Sequence, residues 1–211
     1  MAESMTYSSL VEDIQTYAER DDQPFVDQIP RFIMLCENRI ASEIRGLGYV
    51  RFVTGALTSG DPKLQKPDRW RETLDLNLTL SAGQRVFLFQ RSYEYLRVYA
   101  PNPTTTAQPK YYSDYGYDHY FFAPTPDDAY SIEIGYHERP VPLDDSNQTN
   151  WTTQYAPQLL LYGSLLEAQP FLKRQERIAE FQALFTQAAQ AVMTEANRRV
   201  TGDQNYERSI G

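Results

Sequence analysis

The sequence predicts an α+β protein: a four-helix bundle built from both chain ends, with an antiparallel β sandwich or barrel-like domain inserted between helices two and three. Apolar residues recur at helical spacing at both ends of the chain and alternate with polar residues in the middle. We expect a discontinuous helical bundle from residues 1–48 and 150–200, an inserted β domain at 49–141, a linker at 142–149 and an extended C-terminal tail at 201–211.

Two helices are predicted before the β domain. Residues 8–19 carry apolar side chains at helical spacing, and the second helix begins near Pro30, which needs no N–H partner in a first turn. Gly46 and Gly48 end the second helix. The lone cysteine, Cys36, lies among the apolar residues of this helix and is predicted to be a small buried side chain.

In the middle of the chain, apolar and polar residues alternate from Leu74 to Leu80, which predicts a strand with one buried face. The turn at 81–84 leads into 86–89, so these strands should form a hairpin. The segment 91–99 is compatible with either a helical turn or a strand.

Two further strands, 117–122 and 131–136, are predicted to pair with each other across the proline-containing turn 124–128. Turn residues recur at the spacing of a small antiparallel sandwich or barrel.

Helical periodicity returns after residue 150. Residues 159–166 are apolar on nearly all sides, which predicts a helix buried on several faces. Pro170 is expected to interrupt it. A last helix is predicted over 173–199, and residues 201–211 have no core-forming pattern.

None of the common catalytic or ligand-binding templates fits the sequence. His119 and His137 each lack a second nearby histidine or cysteine, so no metal site is expected, and no glycine-rich phosphate loop indicates a cofactor. The aspartate pairs at 127–128 and 144–145 sit in turns beside prolines, where aspartate bonds its own backbone. We therefore expect neither an enzyme nor a cofactor.

The charge balance disfavours binding to nucleic acid or to an anionic membrane through bulk electrostatics. The 211 residues carry 28 acidic and 20 basic side chains, a net charge of −8. The N-terminus shows no signal peptide and no apolar run is long enough to span a membrane, so we expect assembly in a reducing cytoplasm without a membrane partner.

Tyrosine is concentrated in the predicted β domain, where ten of the sixteen tyrosines lie between residues 93 and 136. This enrichment favours half-buried strand faces and a protein interface. A stacking surface for sugars or single-stranded nucleic acid is the alternative, although this region lacks the basic groove that a nucleic acid needs.

Seven segments of the chain, in this order, resemble phage head-to-tail adaptor (connector) proteins of the tail tubular protein A type. They are 25–33 (FVDQIPRFI), 37–40 (ENRI), 66–73 (KPDRWRET), 91–95 (RSYEY), 111–115 (YYSDY), 122–126 (FAPTP) and 150–168, which begins NWTTQYAP. The resemblance covers about residues 5–200.

The resemblance implies a structural virion protein at the head–tail junction, assembled in the host cytoplasm. Such adaptors form a ring, usually of twelve copies, below the portal protein, and they continue the channel through which genomic DNA passes without specific binding. The helical part would meet the portal and neighbouring copies, with helix 159–166 packed between its own bundle and a neighbour. The β part would face the tail or nozzle protein, with tail fibres as a further partner.

Eight residues are candidates for these contacts under the resemblance. Those for the portal or a neighbouring copy lie around the C-terminal tail: Arg198, Arg199, Tyr206 and Arg208. Those for the tail-facing interface lie in the tyrosine-rich segment: Tyr111, Tyr112, Tyr115 and Tyr117. The alternative function is a carbohydrate-binding or tail-fibre-docking module that uses the tyrosine-rich β domain.

Overall fold

The computed structural model describes residues 5–44, 47–80 and 83–207, with the backbone alone for residue 47 and residues 197–207. The chain divides into two compact units. The helical unit contains the residues up to Tyr49 and those from Arg139 onward, and the β unit contains Val50–Glu138. The predicted α+β class is confirmed.

The helices, in chain order, are α1 (Tyr7–Ala18), α2 (Gln23–Val26), α3 (Ile29–Glu43), α4 (Tyr93–Tyr99), α5 (Trp151–Tyr155), α6 (Pro157–Leu172) and α7 (Ile178–Glu207). The strands are β1 (Val50–Ala56), β2 (Lys63–Gln65), β3 (Trp70–Thr79), β4 (Arg85–Phe87), β5 (Phe89–Gln90), β6 (Tyr111–Tyr115), β7 (His119–Ala123) and β8 (Ser131–Glu138). Short 3-10 turns cover Leu47–Tyr49 and Gln175–Arg177.

Local sequence signals position the ends of the helices. Thr6 and Ser9 form a reciprocal capping box at the start of α1. Pro30 and Pro157 lie in the first turns of α3 and α6, where a missing N–H costs nothing. Asn150 caps α5, because its side-chain oxygen accepts from the N–H groups of residues 152 and 153.

The core of the helical unit is formed by side chains of α1, α3, α6 and α7. Helix α6 is buried on several faces by this one chain, since it contacts α1, α3, α5 and α7. Its buried leucines are Leu159, Leu160, Leu161, Leu165 and Leu166. The expectation that a neighbouring copy covers part of this helix is therefore wrong: the apolar surface is already covered within the chain.

Two expectations about helix ends differ from the structure. Pro170 lies inside α6, which continues to Leu172, because a proline in the last turn removes only one hydrogen bond near an end that is already terminating. Helix α7 continues to Glu207, so residues 201–207 are helical and not extended. Extending an existing helix requires no new nucleation, so a polar segment can continue it without an apolar face.

The β unit contains two four-stranded sheets. The first has the order β1-β8-β3-β4 and is antiparallel; the second has the order β2-β7-β6-β5. Strands β5 and β6 run parallel, so the second sheet is mixed and the expectation of a purely antiparallel domain is wrong. The chain passes between the sheets at Leu88, whose N–H donates to Leu76, while the next N–H donates to Lys110 in the second sheet.

Residues from both sheets line one core in the β unit: Leu57, Leu76, Leu78, Leu88, Tyr112, Tyr120, Phe122, Ile132, Ile134 and Tyr136. The hairpin β3–β4 is confirmed. The predicted pairing of 117–122 with 131–136 is wrong, because β7 pairs with β2 and β6 while β8 pairs with β1 and β3. The turn residues between β7 and β8 mark where the strands end but do not specify their partners. The two strands lie in different sheets, and both contribute side chains to the one core.

Candidate interaction surfaces

An exposed cluster of apolar side chains lies on the β unit, at α4 and at the crossing from β4 to β5. We call the exposed side chains of Phe87, Phe89, Tyr95, Val98 and Tyr99 the aromatic face. Their exposed fractions are 49%, 54%, 42%, 81% and 40%, respectively. Since isolated soluble proteins rarely leave such clusters uncovered, the aromatic face is a candidate protein contact.

The local sequence explains why these rings are exposed. Ser92 caps α4 by accepting from the Tyr95 N–H, and Leu96 is fully buried, which anchors one side of this short helix. In the crossing strand, Leu88 points into the core, so its two phenylalanine neighbours point out.

The rings of the aromatic face form two contact groups, a phenylalanine pair and a tyrosine group that includes Tyr111. Phe87 and Phe89 are edge to face with ring centroids 5.5 Å apart. Tyr95 and Tyr99 are stacked at 6.1 Å, and both meet the edge of Tyr111, at 5.4 Å and 4.8 Å. These contacts hold the side chains in place without covering them.

Two cations lie over neighbouring rings. The Arg91 guanidinium is 5.9 Å from the Tyr95 centroid and 6.0 Å from that of Tyr111, and the Lys63 ammonium is 5.0 Å from that of Tyr115. Within the part of the chain that the structure describes, neither cation forms a salt bridge with a carboxylate. This positive charge is notable in an acidic protein.

An open cavity of about 520 Å³ adjoins Arg91, lined by Gln90, Arg91, Ser92, Tyr93, Ser113 and Asp114. The Asp114 carboxylate is already satisfied, by Lys66 Nζ at 2.8 Å and by the Gln90 amide at 3.0 Å. Ser113 is only 2% exposed, and its hydroxyl has no hydrogen-bond partner among the described residues. Buried hydroxyls are normally paired, so this one marks an incomplete polar site.

The four predicted tail-facing tyrosines occupy different environments. Tyr117 is 66% exposed, while Tyr111 and Tyr115 are half-buried against the rings of α4. Tyr112 is 3% exposed and packs in the core against Tyr120, so it is not part of the surface.

The sequence interpretation missed Phe87 and Phe89. Residues 86–89 are apolar without interruption, so no alternation in the sequence shows which of these side chains point outward.

The predicted portal-contacting residues lie at the C-terminal end of the chain. Arg198, Arg199 and Tyr206 belong to α7, whose backbone alone is described at these positions. Arg208 lies outside the described residues. Their contacts stay predictions.

A buried carboxyl holds the segment that leads back into the helical unit. This segment covers residues 139–150. Glu37 of α3 is 5% exposed; one carboxylate oxygen accepts from the Asn150 amide at 2.7 Å and the other from the Leu143 N–H at 3.3 Å. Burial raises the pKa of Glu37 to about 7, although both hydrogen bonds act against this rise.

The other candidate reactive side chains, His119, Asp127 and Cys36, have structural partners or are buried. His119 Nδ1 is 3.0 Å from Asp118, and Asp127 accepts from the Tyr130 hydroxyl at 2.6 Å. Cys36 is confirmed as buried, and burial raises the pKa of its thiol. Among the described residues, no group of three or more histidine, cysteine or acidic side chains could hold a metal ion.

Two units with separate cores, one of which exposes an aromatic face, are typical of a protein that binds other proteins. Residues 5–207 match the family model of the SU10 adaptor protein, so the chain belongs to that family. It is thus a structural adaptor of a bacteriophage particle, which confirms the predicted class.

No curated protein matches the chain significantly. No helix of the described residues is long and apolar enough to cross a membrane.

Proposed function

We propose that the protein forms a ring, of twelve copies as the tail tubular protein A resemblance implies, which joins the portal to the tail. The four main helices act as a bundle that contacts the portal and neighbouring copies. The β unit acts as an inserted sandwich that contacts the tail or nozzle protein. The protein has no catalytic role, and it is assembled into the particle in the host cytoplasm.

The observation that carries this proposal is the division into two units with separate cores and different surfaces, in a chain of the adaptor family. A coupling protein must hold two partners at once, and two independent cores allow each surface to be shaped for one partner. The aromatic face supplies the tail-side surface, since exposed aromatic clusters are common at protein interfaces.

The charge distribution supports passage of DNA through such a ring. The helical unit contains 17 acidic and 11 basic residues, a net charge of −6, and the β unit contributes the remaining −2. Acidic side chains around a channel repel phosphates, so DNA would slide through without binding.

The test is a mass measurement of the full chain mixed with purified portal protein. We expect a complex containing one ring of adaptor chains per portal, which native mass spectrometry would count. Adaptor chains that remain monomeric and do not bind the portal would contradict the proposal. We expect Arg198→Glu and Arg199→Glu to weaken this complex, because both residues are predicted C-terminal anchors. Arg85→Glu, the same charge change in the β unit, is the control and should not weaken it.

A second candidate function is a carbohydrate-binding or tail-fibre-docking module in the β unit. The observation that favours it is the exposure of tyrosine rings near Tyr111, since planar rings also stack on sugars. A glycan array with the full chain is the direct test. Binding that is lost in Tyr111→Ala, Tyr115→Ala and Tyr117→Ala would support this function, whereas an empty array would exclude it for the glycans tested.

A further inference from the structure

We propose that the aromatic face and the adjoining cavity bind an extended peptide segment of a tail-side protein, with a carboxylate of that segment held by Arg91 and Ser113. The inference rests on the proposed function, because it takes the β unit to be the tail-side part of the adaptor. It names the chemistry of the partner: an acidic residue beside an aromatic or aliphatic one.

The apolar half of the site is the aromatic face. Tyr95 and Tyr99 form a flat shelf with stacked rings, and Val98 beside them is the most exposed of the large apolar side chains, at 81%. Apolar side chains of a partner would remove this surface from water, which supplies the driving force for docking. Rigid aromatic rings also lose little side-chain entropy on binding, so they serve as anchors.

The polar half of the site is the cavity. Arg91 lines the cavity and has no salt-bridge partner among the described residues, and its guanidinium donates one hydrogen bond, to the Gln90 carbonyl at 3.2 Å. Asp114, which also lines the cavity, is held by Lys66 and Gln90 and forms no salt bridge with Arg91. A carboxylate is the group that a guanidinium binds most specifically, through two parallel hydrogen bonds.

Ser113 is the observation that points to an occupant. Its hydroxyl is buried and unpaired at the cavity wall, which costs free energy in the protein alone. A turn of the Ser113 side chain toward the cavity would let a carboxylate oxygen accept from this hydroxyl and remove that cost. The free protein thus contains both donors of a carboxylate site and the apolar shelf beside it.

The charge of the β unit favours a peptide with one or two carboxylates over a polyanion. Its net charge of −2, with Glu94 exposed on α4, would repel a nucleic-acid backbone. A single carboxylate matches the charge of Arg91 without bringing many further negative charges to an acidic unit. A second copy of this chain could also offer a carboxylate, and the experiment separates that outcome.

The experiment measures binding of a short synthetic peptide to the full-length chain by fluorescence anisotropy at low salt. The probe carries glutamate beside phenylalanine, and its control carries glutamine in place of glutamate. We expect the glutamate peptide to bind at least about tenfold more tightly, since loss of one charge-assisted hydrogen bond weakens binding by about that factor. Arg91→Glu should abolish the preference, and Arg85→Glu, which makes the same charge change on β4, should retain it.

Ser113→Ala provides a readout that a purely structural role would not produce. It removes an unpaired buried hydroxyl, so the thermal midpoint of the β unit should stay the same or rise, while the peptide affinity falls severalfold. A variant that loses both stability and affinity would indicate a packing role and would overturn the assignment of Ser113.

Four results would overturn the proposal: no binding of the glutamate peptide at millimolar concentration, equal binding of both peptides, binding that Arg91→Glu leaves unchanged, or displacement of the peptide by a neutral sugar. Self-association of the chain that Arg91→Glu abolishes would assign the site to a second copy, and would also contradict it. Ring assembly of each variant on the portal is measured in parallel. Normal assembly without peptide binding would refute this inference and leave the proposed function standing.

Discussion

Glu37→Gln should change how the stability of the helical unit depends on pH. In the native protein the buried carboxyl has a pKa of about 7, whereas its ordinary value is 4.5. The folded state therefore keeps the proton over a pH range in which the unfolded state loses it. Between these values folding is linked to proton uptake, so the free energy of unfolding falls as pH rises and the group's contribution is lost by about pH 7.

The magnitude follows from the two pKa values. One pKa unit corresponds to about 1.4 kcal/mol, so the rise from 4.5 to about 7 changes the free energy of unfolding by roughly 3 kcal/mol. Glutamine cannot ionise, so the free energy of unfolding of the variant does not fall with pH for this reason. Its amide oxygen can keep the Asn150 bond, but the Leu143 N–H then has no acceptor, at a cost of about 1 kcal/mol.

The two stability curves should therefore cross. At pH 4 the variant should be about 1 kcal/mol less stable than the wild type, near pH 5 the two should be about equally stable, and at pH 8 the variant should be about 2 kcal/mol more stable. Urea unfolding over this pH range, followed by Trp151 fluorescence, measures the difference. A Trp70→Phe background leaves Trp151 as the only tryptophan, so the signal reports the helical unit.

Glu43→Gln is the matched control, because Glu43 lies on the same helix and is exposed. Its curve should run parallel to that of the wild type. Parallel curves for Glu37→Gln as well would refute the reasoning, since they would mean that the buried carboxyl does not titrate differently in the folded and unfolded states.

Three further predictions concern the two cores. Gly163→Ala should lower the stability of the helical unit by several kcal/mol, measured by urea unfolding. The added methyl would collide with the Cys36 sulfur and meet the Phe185 ring at 3.0 Å. Unchanged stability would show that the helices separate easily. The Cys36 thiol should react with maleimide only when the helical unit unfolds, since the thiol is fully buried and burial raises its pKa. Labelling of the native protein as fast as that of a denatured sample would contradict this prediction. Asp114→Asn should destabilise the β unit by up to about 3 kcal/mol, because the buried ammonium of Lys66 loses its carboxylate partner and retains the Gly116 carbonyl and the Trp70 ring. Lys66→Met should cost under about 1 kcal/mol, since the remaining carboxylate is 41% exposed and can be hydrated. Equal losses in thermal unfolding would show that burial does not set the asymmetry.

The helical part of the fold could be predicted from the sequence because its signals are local. Caps, prolines and apolar spacing act within a few residues, and they place α1, α3 and α6 to within a few residues of their positions. What covers α6 could not be predicted, because an apolar surface on all sides shows that a helix is buried but not which chain buries it.

The β unit was harder to predict from the sequence, because strand pairing is a non-local property. The segments that became β7 and β8 each show a buried face, and nothing in either strand specifies its neighbour. Tyr112 illustrates the same limit for the candidate interface. In a strand of consecutive tyrosines, the register alone decides which ring enters the core and which one faces outward.

The features that matter most for the candidate cavity and for the buried carboxyl arise only when distant segments meet. Arg91 and Ser113 lie 22 residues apart in the sequence and line one cavity because β5 pairs with β6. Glu37 and Asn150 are 113 residues apart and form one hydrogen bond. No spacing rule connects such pairs before the topology is known.

The most direct test of the adaptor proposal is an electron cryomicroscopy reconstruction of the portal vertex of the assembled particle. We expect a ring of these chains below the portal, with the helical unit in contact with the portal and the β unit in contact with the tail, its aromatic face covered. A vertex without such a ring, or a ring whose β units meet the portal, would contradict it.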